Sequence, residues 1–424
     1  MRHLRLTSLA SSALPLLMLC GAAHADSAPD VGARIEIVPA GTIITPSSSI
    51  ELPALAGVVA HTNVKIFRPS GISPQDKSPS GIYETPASLA CVYHVTKAVA
   101  GCNPTTLKTV ATGGSRIIAI VDAYDDPNAE KDLAVFSKKF GLPAITSSNF
   151  EVVYADGTKP AQDSTGGWEL EESLDVQMAH ALAPKAKVVL VEAKSASNAD
   201  LDKAETVAIK LVEAAGGGEV SNSWGGTEYG GETKNETIFS GKTVVVFASA
   251  GDSPGVIQPS ALPDVVSVGG TSINRKSDGT FVSQTTWSSG GGGLSAFIDA
   301  PTFQKAVKKI VGSKRGTPDL AADANPQTGA WIYDTIPYSG SVLDWAILGG
   351  TSVASPLLAS IVNNAGSFNA SGTDELAEIY AHLGDTKAFT DITKGRCGNS
   401  ASGHAGIGYD LCTGVGAPVG TVGK

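Results

Sequence analysis

Ser352 stands in the run Gly349-Gly350-Thr351-Ser352-Val353-Ala354-Ser355-Pro356, behind two glycines and ahead of an apolar stretch that continues to Val362. A strand, a tight turn and a helix in that order set the hydroxyl at a helix N-terminus, where free backbone N–H groups stabilise an anion. That is a fitting place for a nucleophile in acyl transfer. It is equally the place of a serine N-cap, and the motif alone does not divide the two. A hydroxyl nucleophile needs a base. In the segment 168–184, Glu171 and Asp175 are four residues apart and lie one above the other on a helix. Two carboxylates that close repel, which raises the pKa of one and lets the pair act as a base in acid solution. Glu169 and Glu172 beside them also allow a plain solvated acidic face. Asp252 closes an apolar run in Phe247-Ala248-Ser249-Ala250-Gly251-Asp252, where an aspartate is commonly only a turn former.

The elements that must position these groups are legible as apolar runs. Ile117 to Asp122, Lys187 to Glu192 and Thr243 to Ala248 read as buried strands, and Asp132 to Phe140 and Leu201 to Ala215 as helices. Leu174, Met178, Ala181 and Leu182 share one face of the helix that carries Glu171 and Asp175. His180 is off the carboxylate face and reads as a packing or supporting residue. Strands alternating with helices predict an α/β fold, a doubly wound, mostly parallel sheet with helices on both faces. Active sites of such sheets gather beyond the strand C-termini.

Gly-Thr-Ser-x-x-x-Pro around Ser352 is similar to the nucleophile motif of subtilisin-like folds. Those also require an Asp-Ser/Thr-Gly turn and a His-Gly-Thr-His run, and neither is here. Asp122 is followed by Ala123-Tyr124, and none of the seven histidines precedes a glycine. The joint pattern resembles instead the sedolisin family, the serine-carboxyl peptidases, across roughly residues 81–420. The resemblance rests on the Glu171/Asp175 pair, SNSWGG at 221–226, Gly251-Asp252, SALPDVVSVGGT at 260–271, SSGGGGLS at 288–295, TPDLAADANPQTG at 317–329 and GGTSVASP. It implies a subtilisin-like fold and an acyl-enzyme on Ser352. Glu171 would be general base, Asp175 its support, and Asp252 a member of the oxyanion hole. Asp252 can donate to an oxyanion only when protonated, which implies activity at acid pH. Trp224 and Gly225 would line the substrate cleft and pair with peptide backbone, although Trp224 also suits a core. Endopeptidase rather than tripeptidyl-peptidase action is the expectation. The run Gly290 to Gly293 lacks the Gly-Lys-Ser/Thr of a phosphate loop and reads as a flexible loop beside the cleft.

The resemblance also implies one structural calcium ion, held by the carboxylates of Asp391 and Asp410 and the carbonyls of Ile392, Gly406 and Gly408. Such an oxygen-only set suits calcium. Cys397 and Cys412 flank that loop. With Cys91 and Cys102 they make two local pairs, so Cys91–Cys102 and Cys397–Cys412 is the preferred pairing of the three possible. No Cys-x-x-Cys supports metal ligation instead.

Residues 1–25 read as a secretory signal: Arg2 and Arg5, the apolar core Leu14 to Cys20, and the small-x-small site Ala23-His24-Ala25. A lipid anchor on Cys20 is disfavoured by the bulky Leu19 before it. Residues 26–80, rich in Pro and Ser, read as a short N-terminal segment, a possible reduced propeptide, ahead of a peptidase domain over 81–424. Short β-like runs occur at Arg34 to Val38 and Val64 to Phe67. The expected location is secreted or periplasmic, with no stable membrane insertion, and a monomer is expected. The net charge is −10, and −12 without residues 1–25, which gives no electrostatic reason to bind nucleic acid or anionic lipid. Protein or peptide substrates are the partners implied. Two rivals are an inactive exported relative, which would need a lost catalytic group, and an esterase, which would want a Gly-x-Ser-x-Gly elbow and a partner histidine.

Overall fold

A computed structural model of the chain describes residues 39–70, 79–398 and 403–424. The expected secretory signal over residues 1–25, with Cys20, and the run Arg34 to Val38 lie outside the described residues.

The N-terminal strands are β1 (Gly41–Ile44), β2 (His61–Thr62) and β3 (Lys65–Pro69), followed by helix α1 (Pro86–Val92). The central elements are β4 (Ile117–Ala123), α2 (Ala129–Phe140), β5 (Phe150–Tyr154), α3 (Gly167–Leu182), β6 (Lys187–Ala193), α4 (Asn198–Ala214), β7 (Gly218–Asn222), β8 (Trp224–Thr227) and β9 (Val244–Ser249). After them come β10 (Ile257–Gln258), β11 (Val265–Arg275), β12 (Phe281–Thr286), β13 (Gly293–Asp299), the single turn α5 (Lys308–Val311), β14 (Lys314–Thr317), β15 (Leu320–Asp323), β16 (Ala330–Asp334), β17 (Asp344–Gly349) and α6 (Thr351–Asn363).

The main sheet runs β12-β11-β9-β7-β4-β6-β5, with β15 also on β11, and is parallel except for the β11–β12 pair. This is the α/β sheet that the apolar runs predict. Side chains alternate across a strand, and β4 shows the result. Ile118 and Ile120 enter one core with Leu174 and Met178 of α3 and Val353 and Leu357 of α6. Ile117, Ala119 and Val121 enter the other with Leu201, Ala204, Ala208 and Val212 of α4. Asp122 is in phase with Ile118 and Ile120, so the strand aims its carboxyl toward α3.

The sequence reading began the domain near residue 81. In the structure β3 is built into a second, antiparallel sheet of order β1-β3-β17-β16, and β2 into a third of order β10-β8-β2. Residues 41–69 are therefore part of the body, and both sheets reach the glycine turn before α6. The β3–β17 and β2–β8 pairings bridge more than a hundred residues of chain, so no local pattern announces them. The cysteines pair as Cys91–Cys102 and Cys397–Cys412, each with Cα atoms 5.5 Å apart. The TPDL segment is architectural: Asp319 receives Arg315 through both carboxylate oxygens and the N–H of Ser267 on β11, which ties β14 and β15 to the main sheet. Among the described residues no helix is long and apolar enough to cross a membrane.

Candidate active site

Helix α6 begins at the C-terminal end of β17, and its first N–H groups point into the site. The N–H of Thr351 donates to Asp252 Oδ1 at 2.8 Å, and that of Ser352 to the carbonyl oxygen of Asn63 at 3.2 Å. Gly350 makes this approach possible. Its φ is +108°, and a Cβ there would lie 2.0 Å from Asn63 O and 2.7 Å from Asp252 Oδ2. Those two oxygens thus meet on one side of the glycine. Pro356, one turn on, has no N–H to return to the Ser352 carbonyl. The Ser223 hydroxyl comes within 3.3 Å of that carbonyl instead. The serine-cap reading of Ser352 does not hold: Gly350 is the N-cap and Ser352 lies within the first turn.

The carboxyl groups come from α3. Asp163 gathers the N–H groups of Gly167 and Trp168 at its start, and every residue of the helix is buried. A solvated acidic face is thereby excluded. Glu171 and Asp175 are fully buried. Asp175 Oδ1 accepts from the Ser223 hydroxyl at 2.9 Å, while both oxygens of Glu171 and Oδ2 of Asp175 have no hydrogen bond of good geometry. Burial raises the Glu171 pKa well above the usual range, and the charges of Asp175, Asp122 and Asp252 raise it further. The Ser352 hydroxyl is near enough to pull it back down. That hydroxyl donates here to the Ser223 carbonyl at 3.2 Å, so a rotation about its C–O bond is needed to turn the proton to Glu171. Burial likewise raises Asp175 well above its ordinary value, against the bond from Ser223.

Asp252 follows β9 through Gly251. Oδ1 takes the Thr351 N–H and, at 3.1 Å, its hydroxyl. Oδ2 is buried and unpartnered, free to carry a proton. Burial pushes the pKa to about 7, with Lys65 and the Thr351 bonds acting the other way. The Gly290 to Gly293 run is not a loose loop. The Gly291 N–H donates to Gly251 O and the Gly292 N–H to Gly255 O, each at 2.7 Å, and a Cβ on Gly291 would fall 1.9 Å from Ala250 O. It braces the turn that presents Asp252, and only glycine permits that contact.

Trp224 differs from the expectation of a cleft wall. Its side chain is buried against Phe239 and donates Nε1–H to Val121 O at 2.9 Å. What faces the cleft is the backbone of β8, where Trp224 pairs with Thr62 and Gly225 with His61. His180 is buried, and burial lowers its pKa to about 4, as suits a neutral packing residue.

Two participants were not singled out from the sequence. Asp122, passed over for want of an Asp-Ser/Thr-Gly turn, is fully buried with neither oxygen bonded. Burial raises its pKa well above normal, and Asp175 and Glu192 add to this. Its position at the end of the central strand was the available signal. Beyond it Glu172, Glu192 and Asp126 extend the array of buried carboxyls, with Glu192 raised to about 8 and Asp126 to about 7 by burial. Asn63 is the other, fully buried beside Ser352, and nothing in its Pro- and Ser-rich neighbourhood marks it.

The calcium candidates lie in one C-terminal loop. Asp391 accepts from the Gly408 N–H at 2.9 Å, and its Oδ1 is unpartnered. Asp410 accepts from the N–H groups of Gly406, Cys412 and Thr413. Among the described residues no group of three or more His, Cys, Asp or Glu gathers as a metal site. An ion here would need backbone carbonyls and water to complete its shell, which calcium accepts, and the orphaned Asp391 oxygen fits it.

No family model matches the chain. Kumamolisin from Bacillus sp. (strain MN-32) is 30% identical over 353 residues, which cover 73% of this chain and 59% of that protein. Sedolisin from Pseudomonas sp. (strain 101) is 24% identical over 357 residues, 75% of this chain and 60% of that one. The chain thus spans less than two thirds of the length of these relatives. Among solved structures, Pseudomonas sedolisin, a serine-carboxyl proteinase complexed with pseudo-iodotyrostatin, superposes with a TM-score of 0.63 at 22% identity, over 80% of this chain and 96% of that one. An S41 psychrophilic protease gives a TM-score of 0.50 at 18% identity, over 80% of this chain and 99% of that one. The subtilisin-like fold is common to these, and with its serine at the head of α6 and its histidine-free carboxyl array the chain belongs to the sedolisin family.

Proposed function

We propose that this chain is a serine-carboxyl peptidase that hydrolyses peptide bonds in proteins at acid pH, outside the cytoplasm, as an endopeptidase. The observation that carries the reading is the convergence of the Ser352 N–H, which points at the Asn63 carbonyl oxygen, the unpartnered Oδ2 of Asp252 and the buried Glu171–Asp175 pair. The Ser352 hydroxyl attacks the substrate carbonyl while Glu171 takes its proton. Asp175, held by Ser223, keeps the charge of Glu171 in balance. The Ser352 N–H and protonated Asp252 donate to the oxyanion. Glu171 returns the proton to the leaving amine, and water then repeats the cycle on the acyl-enzyme. Because Asp252 must hold its proton, activity falls as pH rises through about 7. Cleavage of a denatured protein at acid pH, abolished in Ser352→Ala, is the expected result; an undiminished Ser352→Ala variant rules this chemistry out.

The C-terminal loop would hold one calcium ion through Asp391 and Asp410 with the carbonyls of Ile392, Gly406 and Gly408. The ion would neutralise two partly buried carboxylates and lock the loop to the Cys397–Cys412 bridge. Treatment with a calcium chelator is expected to lower the melting temperature by several degrees, since about 1 kcal/mol of lost stability moves a large domain by roughly 2–4 °C. Unchanged melting removes the ion from the account.

A further inference from the structure

The turn that presents Asp252 has a second support, built from the C-terminal loop. Gly291 and Gly292 donate to Gly251 O and Gly255 O, each at 2.7 Å, so residues 251–255 hang on the glycine run 290–293. Two pieces of chain press on that pair from outside. One is the segment 394–398. The Lys394 carbonyl accepts the Thr286 N–H at 2.9 Å, and the Gly398 N–H donates to Ser288 O at 3.2 Å. Gly398 lies so close to Pro254 that a Cβ on it would fall 2.6 Å from the proline side chain. The other piece is Leu411-Cys412, whose Leu411 carbonyl leaves no room for a Cβ on Gly292. The Cys397–Cys412 bridge joins the two pieces. Apart from Cys397, residues 394–398 are Lys, Gly, Arg and Gly, with no apolar side chain to hold them against Pro254 and Ser288. Thr393 to Arg396 are exposed and Cys397 is buried, so the sulfur bridge supplies the anchor. Cys397 and Leu411 also line a cavity of about 260 Å³ with Pro254, Gly255 and Gly292. The space into which water would enter already borders the turn.

Resting on the assignment of Asp252 to the oxyanion hole, we propose that Cys397 and Cys412 are positioning residues for catalysis: their bridge clamps the turn 251–255 through Pro254 and Gly292, and so holds the Asp252 carboxyl aimed at the attacked carbonyl and shielded from water. With the bridge open, segment 394–398 leaves Pro254, the turn loosens and water reaches Asp252. Two effects follow. A donor that is no longer aimed stabilises the oxyanion less. A hydrated carboxyl also gives up its proton at lower pH, since burial is the main cause of the raised value of Asp252. The charged groups that bear on Asp252 are Lys65 on β3 and Glu171 on α3. The clamp carries Lys394, Arg396 and His404, all exposed, and Asp391 and Asp410, each taking N–H groups of its own loop. Opening the bridge removes none of these charges, so it acts on Asp252 through aim and hydration.

The test uses the full chain with calcium in excess throughout. Cys397→Ala/Cys412→Ala is compared with the parent and with Cys91→Ala/Cys102→Ala in melting temperature and in the pH dependence of kcat and KM for one peptide. The first pair is expected to lower kcat by about tenfold to a hundredfold with KM within about threefold, because an oxyanion donor acts in the transition state. The alkaline limb of its kcat/KM profile is expected to move to lower pH by about one unit or more. Cys91→Ala/Cys102→Ala is expected to lower the melting temperature and leave that limb in place. Gly398→Ala, which keeps the bridge and crowds Pro254, is expected to move the limb as the first pair does. A check independent of folding opens the bridge in the folded parent with a trialkyl phosphine at acid pH. Phosphine, water and the disulfide give phosphine oxide and two thiols, and alkylation with peptide mass shows which bridge has opened. The limb is expected to shift with loss of the Cys397–Cys412 bridge and to return when oxidised glutathione re-forms it, itself becoming two thiols. A limb that stays in place with this bridge open overturns the inference and leaves the peptidase reading standing. So does a loss of activity that tracks melting temperature alone. A parent inert toward protein and peptide at acid pH overturns the peptidase reading and the inference with it.

Discussion

Glu171→Gln is expected to lower kcat toward a peptide by about 10⁴-fold or more, close to the loss from Ser352→Ala, with the double variant no worse than either alone. Nucleophile and base act as one unit, and removing either member of such a unit costs nearly as much as removing both, on the order of 10⁶ in the most thoroughly dissected serine peptidase. The physical basis is specific to this site. Glutamine keeps the volume and burial of Glu171 and cannot take a proton, so packing in α3 is preserved while the hydroxyl of Ser352 loses its acceptor. Asp175 is bonded to the Ser223 hydroxyl at 2.9 Å, whereas it is Glu171 that lies within reach of the Ser352 hydroxyl. Kinetic comparison of the three variants at acid pH checks this. Multiplicative losses in the double variant, or a Glu171→Gln enzyme within tenfold of the parent, would mean that the base lies elsewhere.

The second expected result concerns stability. Most proteins lose stability in acid because their paired carboxylates must be protonated; this one is expected to lose it as pH rises. Asp252 and Asp126 are raised to about 7 by burial, Glu192, Glu169 and Glu205 to about 8, and Glu171, Asp175, Asp122 and Glu172 well beyond the ordinary range. A carboxyl whose folded pKa lies above its unfolded value binds its proton more tightly when folded. Its contribution is complete below the unfolded pKa near 4 and is lost as pH climbs through the folded pKa near 7 or 8. At about 1.4 kcal/mol per unit, Asp252 alone accounts for up to about 4 kcal/mol, against a usual total of about 5–15 kcal/mol. Several such groups titrating together exceed that total unless water enters the array. Thermal melts from pH 3.5 to 8.5 are expected to show the highest Tm at the acid end and a fall that sets in above about pH 4 and continues to about pH 8. A Tm that rises or stays level toward neutrality contradicts the picture of a protonated interior.

Much of this site is legible in the sequence, and the rest is not, for identifiable reasons. Ser352, Asp252, Glu171 and Asp175 stand in short runs whose local geometry is their message: a glycine turn into a helix, a strand into a Gly-Asp turn, one turn of helix between carboxyls. The parallel sheet follows from β-branched runs such as Lys187–Ala193, which are apolar on both faces. The burial of α3 does not follow, because its acids mimic a surface helix; only the packing of the second sheet and α6 around it reveals that Glu169, Glu171, Glu172 and Asp175 are all inside. Trp224 is ambiguous for a related reason, since strand alternation sends its ring into the core while its backbone edges the cleft. Asn63 is invisible locally. Its place depends on β2 meeting β8 and β3 meeting β17, contacts made across more than 160 and nearly 300 residues of chain.

The central claim is that carboxyl groups do the work that histidine does in other serine peptidases, and the pH dependence of kcat/KM for one peptide, measured from pH 2.5 to 8.5, tests it most directly. The account predicts an activity confined to the acid side and falling as Asp252 loses its proton on the approach to about pH 7. A profile that instead rises through pH 6–7 to a plateau at pH 8, the signature of a base with an imidazole-like pKa near 6.5, would contradict it.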